Sequence, residues 1–152
     1  MIVSADDYFM KSGDYRFNAS HLPMAHLECF RRFVLRLQEG KIERVVILSG
    51  IPGAGKSGYA QRQNGPTTLV VDNTNLSAAE ISPYILAAQA FGWPATEVHR
   101  VHAPREEAFA RQVHGVPLGA HMTMAERFEK RDVMPWWVVI EVATSDPAKV
   151  PS

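Results

Sequence analysis

Gly50-Ile51-Pro52-Gly53-Ala54-Gly55-Lys56-Ser57 carries the clearest chemistry in the chain. Its spacing, G-x-x-x-x-G-K-[ST], is that of a phosphate-binding loop. Glycines let the backbone wrap so that its N–H groups point at phosphate oxygens. The lysine ammonium reaches β- and γ-phosphates, and the serine hydroxyl takes a place on Mg²⁺. The expected nucleotide-binding residues are therefore Gly50, Pro52, Gly53, Ala54, Gly55, Lys56, Ser57 and Gly58, with ATP and Mg²⁺ as cofactors. A glycine-rich turn with a surface lysine is the plainer alternative. The flanks argue against it: Arg44 to Ser49 is a β-branched apolar run of the kind that forms a buried parallel strand, and Lys56 to Arg62 can open a helix.

Open α/β sheets place their chemistry at the carboxyl ends of strands. Two further strand-like runs end in polar side chains, at Asp6-Asp7 and at Asp72-Asn73-Thr74-Asn75. Phosphoryl transfer to an alcohol needs a carboxylate to take the hydroxyl proton and a metal to bridge the donor phosphates. Asp6, at a strand end, suits the first role. Asp7 is the alternative base or a substrate contact, because side chains alternate along a strand and only one of the pair can face the site. A solvated turn would also explain the pair. Asp72 follows an apolar run and suits the metal, beside Ser57. Asn73 and Asn75 are candidate substrate contacts, or else turn residues capping the next helix. Arg111, late in a helix and just before a loop with Gly115 and Pro117, is placed like a lid arginine, although most arginines are merely solvated. The histidines show no metal-ligand spacing; His114, in the same loop, is the one to watch. Trp136-Trp137 reads as packing rather than base stacking.

The elements that must position these residues alternate. Ile2 to Ala5, Arg44 to Ser49, Thr68 to Val71, Thr96 to Val101 and Trp136 to Val142 read as strands. Helices are expected over His21 to Gln38, from Lys56, over Ser77 to Phe91, Pro104 to Val113 and Ala120 to Lys130. The first presents Leu27, Phe30, Val34 and Leu37 on one face and stops at Glu39-Gly40. Ser77 with Glu80 makes a capping box. Lys11 to Ser20 reads as a loop and residues 143–152 as a frayed tail. Five strands alternating with helices imply an α/β fold, a parallel sheet covered on both faces.

At 152 residues the chain fits one domain, 1–152. Sixteen basic and sixteen acidic residues balance, so bulk charge does not advertise nucleic acid and any phosphate groove must be local. Cys29 is the only cysteine, which excludes an intrachain disulfide; in an apolar helical pattern it reads as a buried, inert thiol. No apolar run reaches the roughly 18 residues of a membrane span, and no leader sequence fits, so a cytoplasmic location is expected. Oligomeric state is not fixed by the sequence.

Taken together, Gly50 to Ser57, Ser4-Ala5-Asp6-Asp7-Tyr8-Phe9, Tyr15-Arg16-Phe17-Asn18, Ala25-His26, Val71 to Asn75, Pro83-Tyr84, Arg111 and His114-Gly115-Val116-Pro117 resemble the P-loop polynucleotide 5′-hydroxyl kinase family and its relatives. The resemblance spans nearly the whole chain. It implies a three-layer P-loop fold, Lys56 and Ser57 on ATP·Mg²⁺, the first acid of the Asp pair as general base, Arg111 as a lid arginine, and the 5′ end of a single-stranded nucleic acid as partner. Some members carry an arginine three residues after the base, on the acceptor phosphate; here that position is Phe9, which favours a small alcohol as the rival acceptor. Gly58 replaces the usual threonine.

The order of units also departs from the family. There, the loop strand precedes the Asp-Asp strand; here the Asp-Asp strand and its helix come first, while everything after Asn64 keeps its place. Two neighbouring strand-helix units are exchanged, a non-cyclic permutation of natural or engineered origin, with Glu39-Gly40 and Asn64-Gly65 as joints. A rearranged scaffold that binds nucleotide without turnover is a third reading. The expected consequence is geometric. The Asp6 strand should lie parallel to the 45–48 strand, with the 69–71 strand between them. The helices after the first two strands should cover opposite faces.

Overall fold

Short runs of β-branched residues form the sheet. The structure, a computed structural model, describes residues 1–11 and 13–144. The main-sheet strands are β1 (Ile2–Val3), β4 (Arg44–Ser49), β5 (Thr68–Val71), β6 (Ala95–His102) and β7 (Val139–Ala143); β2 (Met10–Lys11) and β3 (Asp14–Tyr15) pair separately as an antiparallel hairpin. The five-stranded sheet is parallel throughout, in the order β1-β5-β4-β6-β7. The expected arrangement is met: β5 lies between β1 and β4, with Val3 opposite Val71 and Val71 opposite Ile47. The carboxyl ends of the three strands therefore reach one edge together.

The helices are α1 (Leu22–Gln38), α2 (Lys56–Gln63), α3 (Ala78–Ala90), α4 (Arg105–Arg111) and α5 (Leu118–Glu129). Alternate strand residues divide between two cores. Val3, Val45, Ile47, Leu69, Val71 and Val98 pack against α1 and α3. Val46, Leu48, Val70, Val101 and Val142 pack against α2, α4 and α5. With each face covered, α1 and α2 lie on opposite sides, as right-handed crossovers require for one helix travelling inward from β1 to β4 and another travelling outward from β4 to β5.

Several local expectations need correction. The buried stripe of α1 is Ala25, Cys29, Phe33 and Leu37, spaced by four, while Leu27 is 62% exposed. Two small residues, Ala25 and Cys29, let the start of α1 lie close against residues 5–9, which periodicity of large side chains does not reveal. Burial raises the Cys29 thiol pKa, and its sulfur takes bonds from Asn73 and Tyr84, so it is the inert thiol expected. Within the expected Lys11 to Ser20 loop, Lys11 and Asp14–Tyr15 instead belong to an antiparallel strand pair, Met10–Lys11 with Asp14–Tyr15. The last strand begins at Val139; Trp136 precedes it and is exposed. Ala143 and Thr144 are structured, and residues 145–152 of the expected tail lie outside the described residues.

Side chains after β5 fasten the strand ends. Asn75 has φ 43. Its amide donates to Leu48 O at 2.9 Å, and its carbonyl accepts from Ser49 Oγ at 2.7 Å. Gly50 N donates to Thr74 O at 2.8 Å. The turn leaving β5 is thereby stitched to the end of β4. Asn75→Ala leaves the Leu48 carbonyl without its donor and is expected to cost about 1–3 kcal/mol, seen as a lower denaturant midpoint. Asn75→Gly should behave similarly but relieve the left-handed backbone. An unchanged midpoint in both variants would contradict this role.

Candidate functional site

Glycine-rich backbone between β4 and α2 is held from outside. Gly53 has φ +84, and a Cβ there would stand 1.8 Å from Ala108 O, so α4 presses directly on the loop. Gly55 has φ +94 and caps α2 without a side chain. The loop's carbonyls are captured one by one: Ile51 O by Lys56 Nζ at 2.9 Å, Pro52 O by the buried His121 Nε2 at 2.8 Å, and Ala54 O by Thr144 Oγ1. Pro52 O only accepts, so His121 carries its proton on Nε2. With the carbonyls tied away and no capping side chain, the first-turn N–H groups of α2 remain for an anion.

Lys56 is the electrostatic centre. Burial lowers its ammonium to about 8, against the pull of Asp72 and Asp6, which favour the charged form. Asp72 is the converse: burial raises its carboxyl, while Lys56 and a 3.1 Å bond from Ser57 Oγ lower it. The cation is thus desolvated and its acidic neighbours are few, an arrangement that an anionic ligand would relieve. Ser57 Oγ and the Asp72 carboxylate are hard oxygen donors side by side. Magnesium is commonly held by one or two carboxylates plus phosphates and water, and this pair fits that pattern.

Across from the lysine stands Asp6, in a 3-10 helix (Ala5–Phe9) rather than at the strand end itself. Ser4 starts the turn by accepting from Asp6 N at 3.2 Å. Residues in such a turn diverge by about 120° (three per turn), and this, not strand alternation, separates the acids. Asp6 lines the cavity; Asp7 points away and pairs with Arg32 at 3.1 Å. Asp6 Oδ1 accepts from Tyr15 OH at 3.2 Å, and Oδ2 faces His114 Nε2 at 3.5 Å. Burial, then Asp6 itself, pushes the Tyr15 hydroxyl up to about 12, so it remains a donor. Asn73 fixes the segment by accepting from Ala5 N at 2.8 Å.

One cavity of about 560 Å³ is lined by Asp6, Pro52, Gly53, Gly55, Lys56, Ser57, Gly58, Asp72, Asn73 and Arg111. Of the expected site residues, Asp7 and Asn75 stand outside this wall, engaged with Arg32 and Leu48. Asn73 borders it but spends its amide on Ala5 and Cys29. Gly50 and Ala54 support from behind: a Cβ on Gly50 would meet Val101 O at 2.8 Å, and Ala54 is buried. Arg111 is exposed and has no ion pair among the described residues, whereas Arg105, at the start of the same helix, is tied to Glu129 at 2.6 Å. His121 and Thr144 carry no local signal in the sequence that marks them for the site, and Tyr15 enters the sequence reading only within the Tyr15-Arg16-Phe17-Asn18 stretch of the resemblance. A second cavity of about 390 Å³, bordered by Trp93, Trp136 and Trp137 at the amino-terminal end of β6, has no charged lining residue.

No family model matches the chain. No helix of the described residues is long and apolar enough to cross a membrane.

The loop generates two expectations. Gly53→Ala should cost about 1–3 kcal/mol of stability through its left-handed backbone alone, with more lost to the Ala108 carbonyl; a denaturant midpoint matching the parent would contradict the packing argument. For Lys56, the charged form prevails below about pH 8. If the loop holds a triphosphate, its affinity should therefore be flat below that pH and fall above it by up to about tenfold per unit, with proton uptake on binding. Titrations in buffers of different ionisation enthalpy read this directly, and affinity that rises above pH 8 would contradict it.

Proposed function

We propose that the chain is an ATP-dependent phosphotransferase of the P-loop kinase type, moving the γ-phosphoryl group to a hydroxyl, with the 5′-OH of a polynucleotide as acceptor. One observation carries this reading. Lys56, Ser57 and Asp72 at the ends of β4 and β5, Asp6 after β1, and Arg111 at the end of α4 border a single cavity. In this reading Lys56 and the loop N–H groups hold the donor phosphates. Asp6 takes the proton of the acceptor hydroxyl as its oxygen bonds to phosphorus and the bond to the β-phosphate oxygen breaks, releasing ADP. Arg111 offsets charge on the phosphoryl group in flight. Ser57 and Asp72 would hold Mg²⁺, which when bound would neutralise charge on the phosphate oxygens.

The chain order is, in the same reading, an exchange of two neighbouring strand-helix units. The travel of α1 and α2 over opposite faces supports it, because each helix keeps its direction and handedness in either order. A small alcohol is the second acceptor, and one observation favours it: Phe9 is 3% exposed in the core beside Tyr8 and Tyr15, so the position offers no cation to an acceptor phosphate.

The test is transfer of labelled γ-phosphate to a 5′-OH oligonucleotide and to a panel of small alcohols. Transfer to the oligonucleotide supports the first acceptor, and transfer to the panel alone moves the assignment to the second. ATP binding without transfer to any acceptor would identify a scaffold without turnover. Asp6→Asn is expected to keep ATP affinity within about twofold and to lower kcat by roughly 10²–10⁴. Unchanged kcat would remove Asp6 as the base. Lys56→Ala should abolish turnover.

A further inference from the structure

His114 sits at the tip of the α4–α5 connection, three residues beyond Arg111. That connection is pinned within itself. Gln112 Nε2 donates to Val116 O at 2.7 Å, and Val116 N donates to Gln112 Oε1 at 2.8 Å. Gly115, at φ +68, makes the bend. The loop therefore presents His114 as a unit rather than as a free strand. Its imidazole crosses the cavity to the amino-terminal segment, where it stacks on Tyr15 with ring centroids 5.3 Å apart and planes 19° apart. From there Nε2 faces Asp6 Oδ2 at 3.5 Å, while Tyr15 OH bonds the other carboxylate oxygen at 3.2 Å.

We infer that His114 is a positioning residue for Asp6 and the latch that closes the Arg111 loop across the cavity. The inference rests on the phosphotransferase reading for its kinetic consequence, though not for the latch itself. The carboxylate is gripped from two sides by groups that also grip each other. Tyr15 reaches it from the β2–β3 hairpin and His114 from the opposite wall. Closing the latch fixes the direction of the Asp6 carboxylate and draws in Arg111 by the same movement, since both histidine and arginine ride on one short connection. Opening it would release the acceptor side to solvent. The contact from His114 Nε2 to Asp6 Oδ2 thus serves to orient the carboxylate.

The experiment has two arms on the full chain. In the first, amide hydrogen exchange of residues 112–117 is followed by mass spectrometry without nucleotide. His114→Ala and Asp6→Asn should each speed exchange by about fivefold or more, consistent with loss of a local closing contact. The double variant should exceed neither single one, because both break the same latch. Unaltered exchange in His114→Ala overturns the inference whether or not the chain is a kinase.

In the second arm, with whichever acceptor takes phosphate, His114→Ala should lower kcat by about 10- to 100-fold, as for a misplaced catalytic group. The KM for ATP should stay within about twofold of the parent, and His114→Gln should recover part of the rate through its amide. Tyr15→Phe, which keeps the stack and loses the hydroxyl, should leave the exchange near parental and lower kcat. Faster exchange with kcat unaltered, in a chain that turns over, overturns the positioning role. In a chain without turnover the kinase reading falls, and the exchange arm by itself upholds or overturns the latch.

Discussion

The parallel pairing of β1, β5 and β4 is the constraint on which the site depends. Because Val3, Val71 and Ile47 lie abreast, β1 and β5 end level with each other and β4 ends two residues later, all at one edge of the sheet. Each strand then opens into a different segment: a 3-10 turn with Asp6, the Asp72 segment, and the glycine-rich loop with Lys56. None of these segments would meet if one strand were reversed or displaced, since they are far apart in sequence. A slip of one residue in β5 would also turn its side chains to the other face. The core therefore enforces the register that the chemistry requires, with Val71 and Val70 buried in opposite cores.

Around that edge, packing supplies what hydrogen bonds alone do not. Gly53 meets the end of α4, His121 of α5 holds Pro52, and Thr144 beyond β7 holds Ala54. The glycine-rich loop is thus shaped by the second half of the chain. The same face carries Arg111 and His114, at the end of α4 and on its connection to α5, so the wall that shapes the loop also covers it. Lys56 is left desolvated, which makes the site a place where negative charge is welcome.

Much of this is legible in the sequence. The strand before the loop and the capping of α3 by Ser77 are local signals, and the place of β5 beside β4 follows from the short return through α2, so sequence carries all three. The grouping of Asp6, Lys56 and Asp72 follows from strand ends alone. Other features are not legible because they depend on partners distant in sequence. Asn75 reads equally as a turn residue or a contact until Leu48 is seen beside it. Thr144 has no local pattern and acquires a role only because Ala54 O and His102 O converge on it. The inner face of α1 escapes a search for large apolar side chains because Ala25 and Cys29 are buried for their smallness. Strand alternation predicts that only one acid of the Asp6-Asp7 pair can face the site, but the separation has another cause: Ser4 turns the chain into a 3-10 helix before the acid.

The kinase proposal stands or falls on whether this edge binds a nucleoside triphosphate through the glycine-rich loop. Backbone amide shifts, followed by NMR during titration with Mg²⁺ and a non-hydrolysable ATP analogue, decide it. The expected result is a saturable response concentrated at residues 53–58, with further shifts at Asp72 and around Arg111, and none of it in a Lys56→Ala chain. Shifts centred on the tryptophan-lined cavity at the other end of β6, or no saturable shifts, would refute triphosphate binding at this edge.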